Sequence, residues 1–183
     1  NPVSFYGVSK LAGEKYVQVF HRLYGLNTTI LRYFHVYGSR QEFNEYGGVV
    51  AIFIRNMIEG QRPIIFGDGK QERSFTAVKD VVKANLLVAI KNQSEGEIYN
   101  CASGIKVTIN ELCRAVLKAF NRENMKPIYK DWLLGDIKKF EIGNTKIKKI
   151  GMDFETDFLR ELEKTIKETQ IYIKYAQKRS PKK

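Results

Sequence analysis

A tyrosine and a lysine stand four residues apart near the start of the chain, within NPVSFYGVSKLAGE. On a helix, this spacing places Tyr6 and Lys10 on one face, one turn apart. A phenol holds its proton at neutral pH, and a neighbouring ammonium group favours the phenolate form. The pair therefore fits general acid–base chemistry, although the same spacing also occurs in helices whose tyrosine is half-buried and whose lysine is solvated.

The elements that would position this pair follow from the spacing of apolar and turn-forming residues. Apolar residues at helical spacing predict helices over residues 6–24, 49–60, 78–91, 108–120 and 157–177. Short runs rich in β-branched and aromatic residues predict strands over residues 28–38, 62–69 and 96–104. Thr108, followed by Glu111, predicts a capping box at the start of one helix. Because helices and strands alternate, we predict the α/β class.

The charge of the chain indicates the chemistry of its partners. Its 183 residues carry 31 Lys and Arg against 20 Asp and Glu, a formal net charge of +11. Such a surface attracts anions, including phosphorylated metabolites and nucleic acid. We do not expect nucleic acid as a partner, because the sequence has neither an aromatic-interleaved basic strand nor zinc-finger spacing. Lysine-rich segments of this kind are usually the solvated faces of helices.

Several classes of protein are not expected from the composition. No apolar run approaches the roughly 18 residues of a membrane span, so we expect no membrane insertion. We also expect no secretory signal and a cytoplasmic location. Cys101 and Cys113 are interpreted as small core residues rather than a disulfide framework. His21 and His35 lack clustered cysteine or aspartate partners, so we expect no metal site.

The sequence has no dinucleotide-binding fingerprint. Such a site has a Gly-rich turn between a strand and the helix that follows it at once. The segment FGDGKQ contains two glycines after a predicted strand, but no helix follows directly. We therefore expect that the chain by itself does not bind a dinucleotide in the usual way.

Blocks spread over most of the chain nevertheless follow a known order. They are PVSFYGVSKLAGE, LRYFHVYGSRQ, GGVVAIFIRNMIEGQRPIIFGDGKQERSFTAVKDVVKAN, GEIYNCASG, TINEL and a later GD. This order resembles the C-terminal half of the NAD-dependent epimerase/dehydratase family, within the extended short-chain dehydrogenases/reductases. The likeness is greatest to the UDP-glucose 4-epimerase group. The resemblance implies that the family's Gly-rich loop, first strands and catalytic Ser or Thr lie upstream of Asn1.

The resemblance also implies a division of the fold. Residues 1–36 and 73–103 would form the trailing part of a Rossmann-type doubly wound sheet. Residues 37–72 and 104–183 would form a small α/β substrate-binding domain. By the same resemblance, helix 6–24 would contribute to a homodimer.

The cofactor implied by the resemblance is NAD. Tyr6 and Lys10 correspond to the family's catalytic pair, in which Tyr removes a sugar hydroxyl proton and Lys holds the nicotinamide ribose. Tyr33, Phe34 and His35 occupy the stretch that lies beside the nicotinamide and the sugar pyrophosphate. His35 stands where epimerases commonly have Asn, and it is expected either to touch the ligand or to be structural.

The implied substrate is a nucleotide sugar, with a UDP-sugar as the first expectation. The backbone at Gly48 and Val49 would approach the nucleotide ribose and phosphate, since glycine permits close approach. Ile65 and Phe66 would flank the base. Arg73 would bind the diphosphate, a task that suits the bidentate geometry of a guanidinium.

A later block departs from the family pattern. Family members often carry Arg shortly before the Gly-Asp pair, where it makes a second phosphate contact. Here Trp132, Leu133 and Leu134 occupy that region. Asp136 fits the position that binds a ribose hydroxyl, but the missing cation weakens the case for a UDP-sugar.

Three functions remain open at this point. The first is a C4 epimerase that oxidises and re-reduces a nucleotide sugar. The second is a 4,6-dehydratase or decarboxylase of the same family, and the third is a non-catalytic basic binding domain. The acidic pair that marks dehydratases would lie upstream of Asn1, so these residues do not separate the first two functions.

Overall fold

The computed structural model describes residues 2–42, 47–133 and 141–179. Its helices are α1 (Phe5–Tyr24), α2 (Val49–Ile58), α3 (Val78–Ile90), α4 (Ile109–Ala119), α5 (Thr145–Lys149) and α6 (Phe158–Arg179). Its strands are β1 (Ile30–Tyr33), β2 (Val36–Tyr37), β3 (Ile64–Phe66), β4 (Glu72–Arg73), β5 (Thr76–Ala77), β6 (Ile98–Cys101), β7 (Val107–Thr108) and β8 (Ile128–Lys130). Helices and strands alternate, which confirms the predicted α/β class.

Most of the strand pairs are parallel. β1 pairs with β6, β2 with β5 and β3 with β8, all in the same direction, whereas β4 and β7 run antiparallel. In the β1–β6 pair, Tyr33 lies beside Cys101 at the carboxyl ends. In the β3–β8 pair, Phe66 lies beside Lys130. Carboxyl ends of parallel strands are where open α/β sheets bind ligands.

The sequence predicted a single strand over residues 28–38, and this prediction is wrong in one respect: the structure has two strands there, β1 and β2. The chain turns between β1 and β2 at His35, whose φ of 39° lies in the left-handed region that non-glycine residues seldom adopt. The His35 carbonyl accepts a hydrogen bond from the Thr76 amide at 3.3 Å. This turn moves the chain from the β1–β6 pair to the β2–β5 pair.

Helix α1 is well capped but buries none of its residues. The Ser4 side chain accepts a hydrogen bond from the Gly7 amide at 3.1 Å. At the other end, Gly25 adopts φ 64° and donates to the His21 carbonyl. The apolar residues that predicted this helix therefore point into solvent; the exposed ones are Phe5, Val8, Leu11, Val19, Phe20 and Leu23.

The capping box predicted at Thr108 is confirmed. The Thr108 hydroxyl accepts from the Glu111 amide at 3.1 Å, and the Glu111 carboxylate accepts from the Thr108 amide at 2.8 Å. These two bonds satisfy amides that the first turn of α4 leaves without helical partners. Strand β8 and helix α5 were not predicted.

Two clusters of apolar side chains form the core. The larger cluster joins α2, β3, α4 and α6; it includes Phe53, Ile54, Met57, Ile65, Leu112, Val116, Leu162 and Ile166. The second cluster lies between the β1–β6 pair and α3; it includes Val81, Ala84, Tyr99, Cys101, Ile147, Met152 and Phe154. Ile147, Met152 and Phe154 thus pack on the β1–β6 side, although the predicted division assigns residues 104–183 to the substrate domain.

Both cysteines are buried free thiols, as the sequence predicted. Cys101 belongs to the second cluster and Cys113 to the larger one. Burial raises the pKa of each thiol to about 11. Within the described residues, no helix combines the length and apolar content needed to cross a bilayer.

Candidate active site

Tyr6 and Lys10 lie together on one face of α1. The Lys10 ammonium nitrogen sits 5.2 Å from the centroid of the Tyr6 ring, one helical turn away. Tyr6 as a whole residue is 72% exposed and therefore accessible to a ligand. A cation over an aromatic ring at this distance is attracted by the ring's negative face.

An open groove of about 770 Å³ runs between α1 and β1. Its lining residues from the helix include Tyr6, Lys10 and Glu14, and those from the strand include Arg32 and Tyr33. Because the groove extends to Tyr33, the last residue of β1, it reaches the carboxyl end of that strand. The two polar side chains of the predicted pair therefore face a space large enough for a small molecule.

Glu14 and Arg32 form an ion pair that connects the helix to the strand. The Arg32 guanidinium donates from Nε at 2.7 Å and from Nη2 at 2.6 Å to the two oxygens of Glu14. The hydrogen bond from Arg32 lowers the pKa of Glu14 below its usual value. The sequence did not predict this ion pair, although Tyr6, Lys10 and Glu14 follow one another at intervals of four residues on the same face of α1.

The segment after β1 positions three of the predicted cofactor contacts. The Tyr33 hydroxyl donates to Asn85 Oδ1 at 3.1 Å, and the Phe34 amide donates to the Cys101 carbonyl at 3.3 Å. The exposed His35 ring lies edge-on to Phe75, with ring centroids 6.0 Å apart. Tyr33 lines the groove, whereas Phe34 and His35 lie in the turn between β1 and β2.

Gly48 immediately precedes α2, and Val49 is the first helical residue. A β-carbon at position 48 would lie 2.9 Å from the side-chain nitrogen of Gln41, so the flexible Gln41 side chain would have to move if another residue stood there. Gln41 in turn donates to the Val36 carbonyl at 3.2 Å. Gly48 therefore leaves room for the Gln41 side chain beside the start of α2.

The predicted base-flanking residues differ in what they can offer a ligand. The Ile65 side chain is 1% exposed and packs in the larger core cluster, so only its backbone is available. Phe66, the last residue of β3, is partly exposed. Gly67 follows it with φ 75° and lies against the indole of Trp132.

Arg73 lies apart from the α1–β1 groove. It is 7% exposed, and its Nη1 donates to the Glu72 carbonyl at 2.8 Å. It lines a narrow cleft together with Ser74, Gly104 and Lys106. Lys106, an exposed lysine that the sequence motifs did not single out, lines the same cleft as Arg73.

The structure thus groups the predicted residues into separate places. Tyr6, Lys10 and Tyr33 share one groove, and Arg73 lines a different cleft. Asp136 lies outside the described residues. Within the described residues, no cluster of three or more His, Cys, Asp or Glu side chains is arranged to hold a metal ion.

The sequence around the groove is similar to that of known proteins. A model of the NAD dependent epimerase/dehydratase family matches residues 1–102. A putative UDP-glucose 4-epimerase of Methanocaldococcus jannaschii is 48% identical over 112 residues, which cover 61% of this chain and 36% of the relative.

Two crystal structures show the likeness in three dimensions. The UDP-glucose 4-epimerase of Thermotoga maritima with UDP-glucose has a TM-score of 0.88 and 36% identity, and the match covers 94% of this chain. The UDP-glucose 4-epimerase of Thermus thermophilus, a complex with NAD, has a TM-score of 0.82 and 29% identity over 93% of this chain. The predicted Rossmann-type α/β fold is confirmed by these matches.

The chain spans only part of the proteins that it matches. It covers 55% of each of the two crystallised chains and about a third of the M. jannaschii relative. The similarity therefore concerns the part of those proteins that corresponds to this groove, this cleft and the elements around them.

Proposed function

We propose that this chain supplies the acid–base pair and the substrate-binding part of a nucleotide-sugar 4-epimerase. The premise is that the chain belongs to the NAD dependent epimerase/dehydratase family. The observation that carries the proposal is the placement of Lys10 over Tyr6, with 5.2 Å between the ammonium nitrogen and the ring centroid, in the groove beside β1. The expected substrate is a UDP-sugar, in keeping with the UDP-glucose in the T. maritima structure.

In this proposal, Tyr6 acts as the acid–base residue. Its exposed hydroxyl would remove the proton from the C4 hydroxyl of the sugar and later return a proton to the same oxygen. The Lys10 ammonium, which lies over the Tyr6 ring, would place a positive charge beside the reacting groups. The Glu14–Arg32 pair positions both residues by holding α1 on β1.

The residues present fit the nicotinamide end of NAD. The groove at the carboxyl end of β1 would receive it, with Lys10 near its ribose and Tyr33, Phe34 and His35 beside the ring. NAD, when bound, supplies the oxidising and reducing equivalents for the change at C4. The sequence printed here has no Gly-rich loop for the pyrophosphate, so we expect these 183 residues by themselves to lack turnover.

The substrate side of the proposal rests on the second cleft and the strand ends. Arg73 would bind the diphosphate, and Lys106, beside the same cleft, offers the second cation that the sequence lacks near Leu133. Gly48 and Val49 present backbone amides at the start of α2. The end of β3 at Phe66 would lie beside the base, and Asp136 remains the proposed ribose contact.

The proposed fold has two parts, a Rossmann side and a substrate-binding domain. Residues 1–36 and 73–103 would form the Rossmann side, joined by Ile147, Met152 and Phe154 because these pack in the cluster beside β1 and β6. The remaining residues would form the substrate domain. The exposed apolar residues of α1 support the homodimer that the family resemblance implies.

Calorimetric titration of the chain with UDP-glucose tests the proposal. We expect saturable binding that Arg73→Gln weakens and Arg73→Lys weakens less, since lysine keeps the charge but loses the paired geometry. Arg160→Gln, an equal loss of charge at an exposed position on α6, should leave the affinity unchanged. Absence of binding by the folded wild-type chain, or equal effects of the variants at positions 73 and 160, would overturn the proposal.

A further inference from the structure

A lysine of α3 binds two carboxylates that come much later in the chain. The Lys79 ammonium donates to Glu155 at 3.1 Å and to Glu161 at 2.5 Å. Glu155 precedes α6, and Glu161 lies in the first turn of that helix. The Glu161 side chain is 11% exposed, so its charge is poorly solvated and depends on a nearby cation. Without the ammonium, the two carboxylates would face each other and repel.

The next residue of α3 makes a second connection to the same segment. Asp80 is fully buried, and its carboxylate accepts a hydrogen bond from the Glu155 amide at 2.9 Å. The Glu155 carboxylate also accepts from the amides of Thr156 and Asp157, each at 3.0 Å. The first turn of α3 therefore fixes the place at which α6 begins.

The first residue of α6 packs on the segment that carries Arg73. The Phe158 ring stacks on the Phe75 ring, with centroids 5.4 Å apart and planes inclined by 23°. The buried Tyr37 ring lies edge-on to both, at 5.8 Å from Phe158 and 6.4 Å from Phe75. Rings in these arrangements attract one another. Because Phe75 follows Arg73 by two residues, a shift of α6 would move the backbone next to Arg73.

Hydrogen bonds join the same segment to the wall of the cleft. The Ser103 hydroxyl donates to the Phe75 carbonyl at 2.7 Å, and the Gly104 amide donates to the Ser74 hydroxyl at 3.2 Å. Ser74 and Gly104 line the cleft together with Arg73. The stacked rings and these hydrogen bonds therefore set the shape of the cleft together.

We propose that Lys79 is a positioning residue for the diphosphate-binding cleft. By holding the start of α6, it keeps Phe158 on Phe75 and so sets the position of Arg73. Lys79 is not among the described residues that line the cleft or the α1–β1 groove, so it acts through other residues. This inference rests on the proposed function, in which Arg73 binds the diphosphate.

Calorimetric titration of the 183-residue chain with UDP-glucose tests this role. Lys79→Met removes the charge and keeps most of the side-chain length. It should weaken binding by about two- to thirtyfold, the range for a residue that acts on a site through packed neighbours. Lys79→Arg should retain most of the affinity, because a guanidinium also pairs with carboxylates. The control is Lys164→Met, which breaks the exposed Lys164–Glu168 pair on α6 and should leave the affinity unchanged.

Combined variants separate positioning from a general loss of stability. If Lys79 acts through Arg73, Lys79→Met should cause no further weakening in an Arg73→Gln background. A change that only loosens the fold would weaken binding by the same factor in both backgrounds. Glu161→Gln keeps the shape of its side chain and should also weaken binding only where Arg73 is present. It supplies the same comparison if circular dichroism shows that Lys79→Met does not fold.

The outcomes distinguish this inference from the function on which it rests. If Arg73→Gln binds UDP-glucose weakly while the folded variants at positions 79 and 161 bind it as tightly as the wild type, the positioning role is wrong and the proposed function stands. Equal losses in both backgrounds would likewise exclude the positioning role. If the folded wild-type chain does not bind UDP-glucose, the proposed function fails and the inference fails with it.

Discussion

The Arg32 guanidinium binds both oxygens of the Glu14 carboxylate and so connects the helix that carries Tyr6 to the strand that ends at Tyr33. Helix α1 buries no residue of its own, so polar contacts of this kind have an unusually large part in fixing its position. The orientation of Tyr6 and Lys10, the proposed acid–base pair, relative to β1 depends in part on this ion pair.

We expect Glu14→Gln to loosen α1 without unfolding the chain. The Arg32 side chain is half-exposed and the Glu14 side chain is 9% exposed. Such a pair should contribute about 1 kcal/mol, so the melting temperature should fall by about 4 °C or less. Hydrogen exchange of the α1 amides should become faster. Glu59→Gln, which removes the exposed Arg55–Glu59 pair at the end of α2, is the control and should leave α1 exchange unchanged.

The same pair predicts a dependence on pH. Because Arg32 lowers the pKa of Glu14, the pair stabilises the fold at pH values above the ordinary pKa of a glutamate. This stabilisation is lost as the pH falls through the lowered pKa. Urea titrations from pH 6 downward should therefore show a smaller loss of stability for Glu14→Gln than for the wild type. Parallel curves for the two proteins would contradict the assignment.

In a full-length 4-epimerase that contains this chain, as proposed, Tyr6→Phe should remove turnover. Loss of one acid–base group usually lowers kcat by about 10²–10⁴-fold, whereas the ring and its contact with Lys10 remain. Binding of UDP-glucose should be nearly unchanged. Tyr16→Phe removes an exposed hydroxyl from the same helix, away from the residues that line the groove, and should leave kcat unchanged. Normal activity of Tyr6→Phe would exclude Tyr6 from the chemistry.

The 183-residue chain should show no micromolar affinity for NAD in a calorimeter. Tyr6, Lys10 and Tyr33 line the groove proposed for the nicotinamide end, but the sequence has no Gly-rich turn for the pyrophosphate. UDP-glucose titrated into the same sample is the positive control for a competent site. A clear NAD isotherm with a micromolar Kd would show that these residues bind the cofactor by other means.

The two thiols should resist modification in the native protein. Burial raises the pKa of Cys101 and of Cys113 to about 11, so both stay protonated and inaccessible at about pH 8. A thiol reagent such as DTNB should label both only after addition of guanidinium. Since the folded state holds these protons more tightly than the unfolded state, stability should fall as the pH rises from about 9 towards 11. Fast labelling of either thiol in the native protein would contradict its burial.

Local sequence patterns predicted the local features well. Thr108 and Glu111 form the expected capping box because both partners lie within one turn of the same helix. Likewise, α1 spans almost the residues that its turn signals indicated. Tyr6 and Lys10 meet because their spacing alone determines that they share a face.

Features that depend on residues far apart in the sequence could not be predicted from local patterns. Strand β8 is short and exists because it pairs with β3, which lies far earlier in the chain. The burial of Ile65 and the partial exposure of Phe66 follow from which side of that strand faces the core. The packing of Trp132 on Gly67 likewise required the two strand ends to be brought side by side.

The outward-facing apolar residues of α1 also determine how the purified chain behaves as a solute. At low ionic strength, the net charge of +11 makes copies of the chain repel one another, so the apolar residues of α1 on two copies seldom come into contact. Raising the ionic strength from about 0.01 M to about 1 M shortens the reach of that repulsion from about 30 Å to about 3 Å. Stock solutions therefore keep best when dilute and low in salt, and light scattering should rise as salt is added.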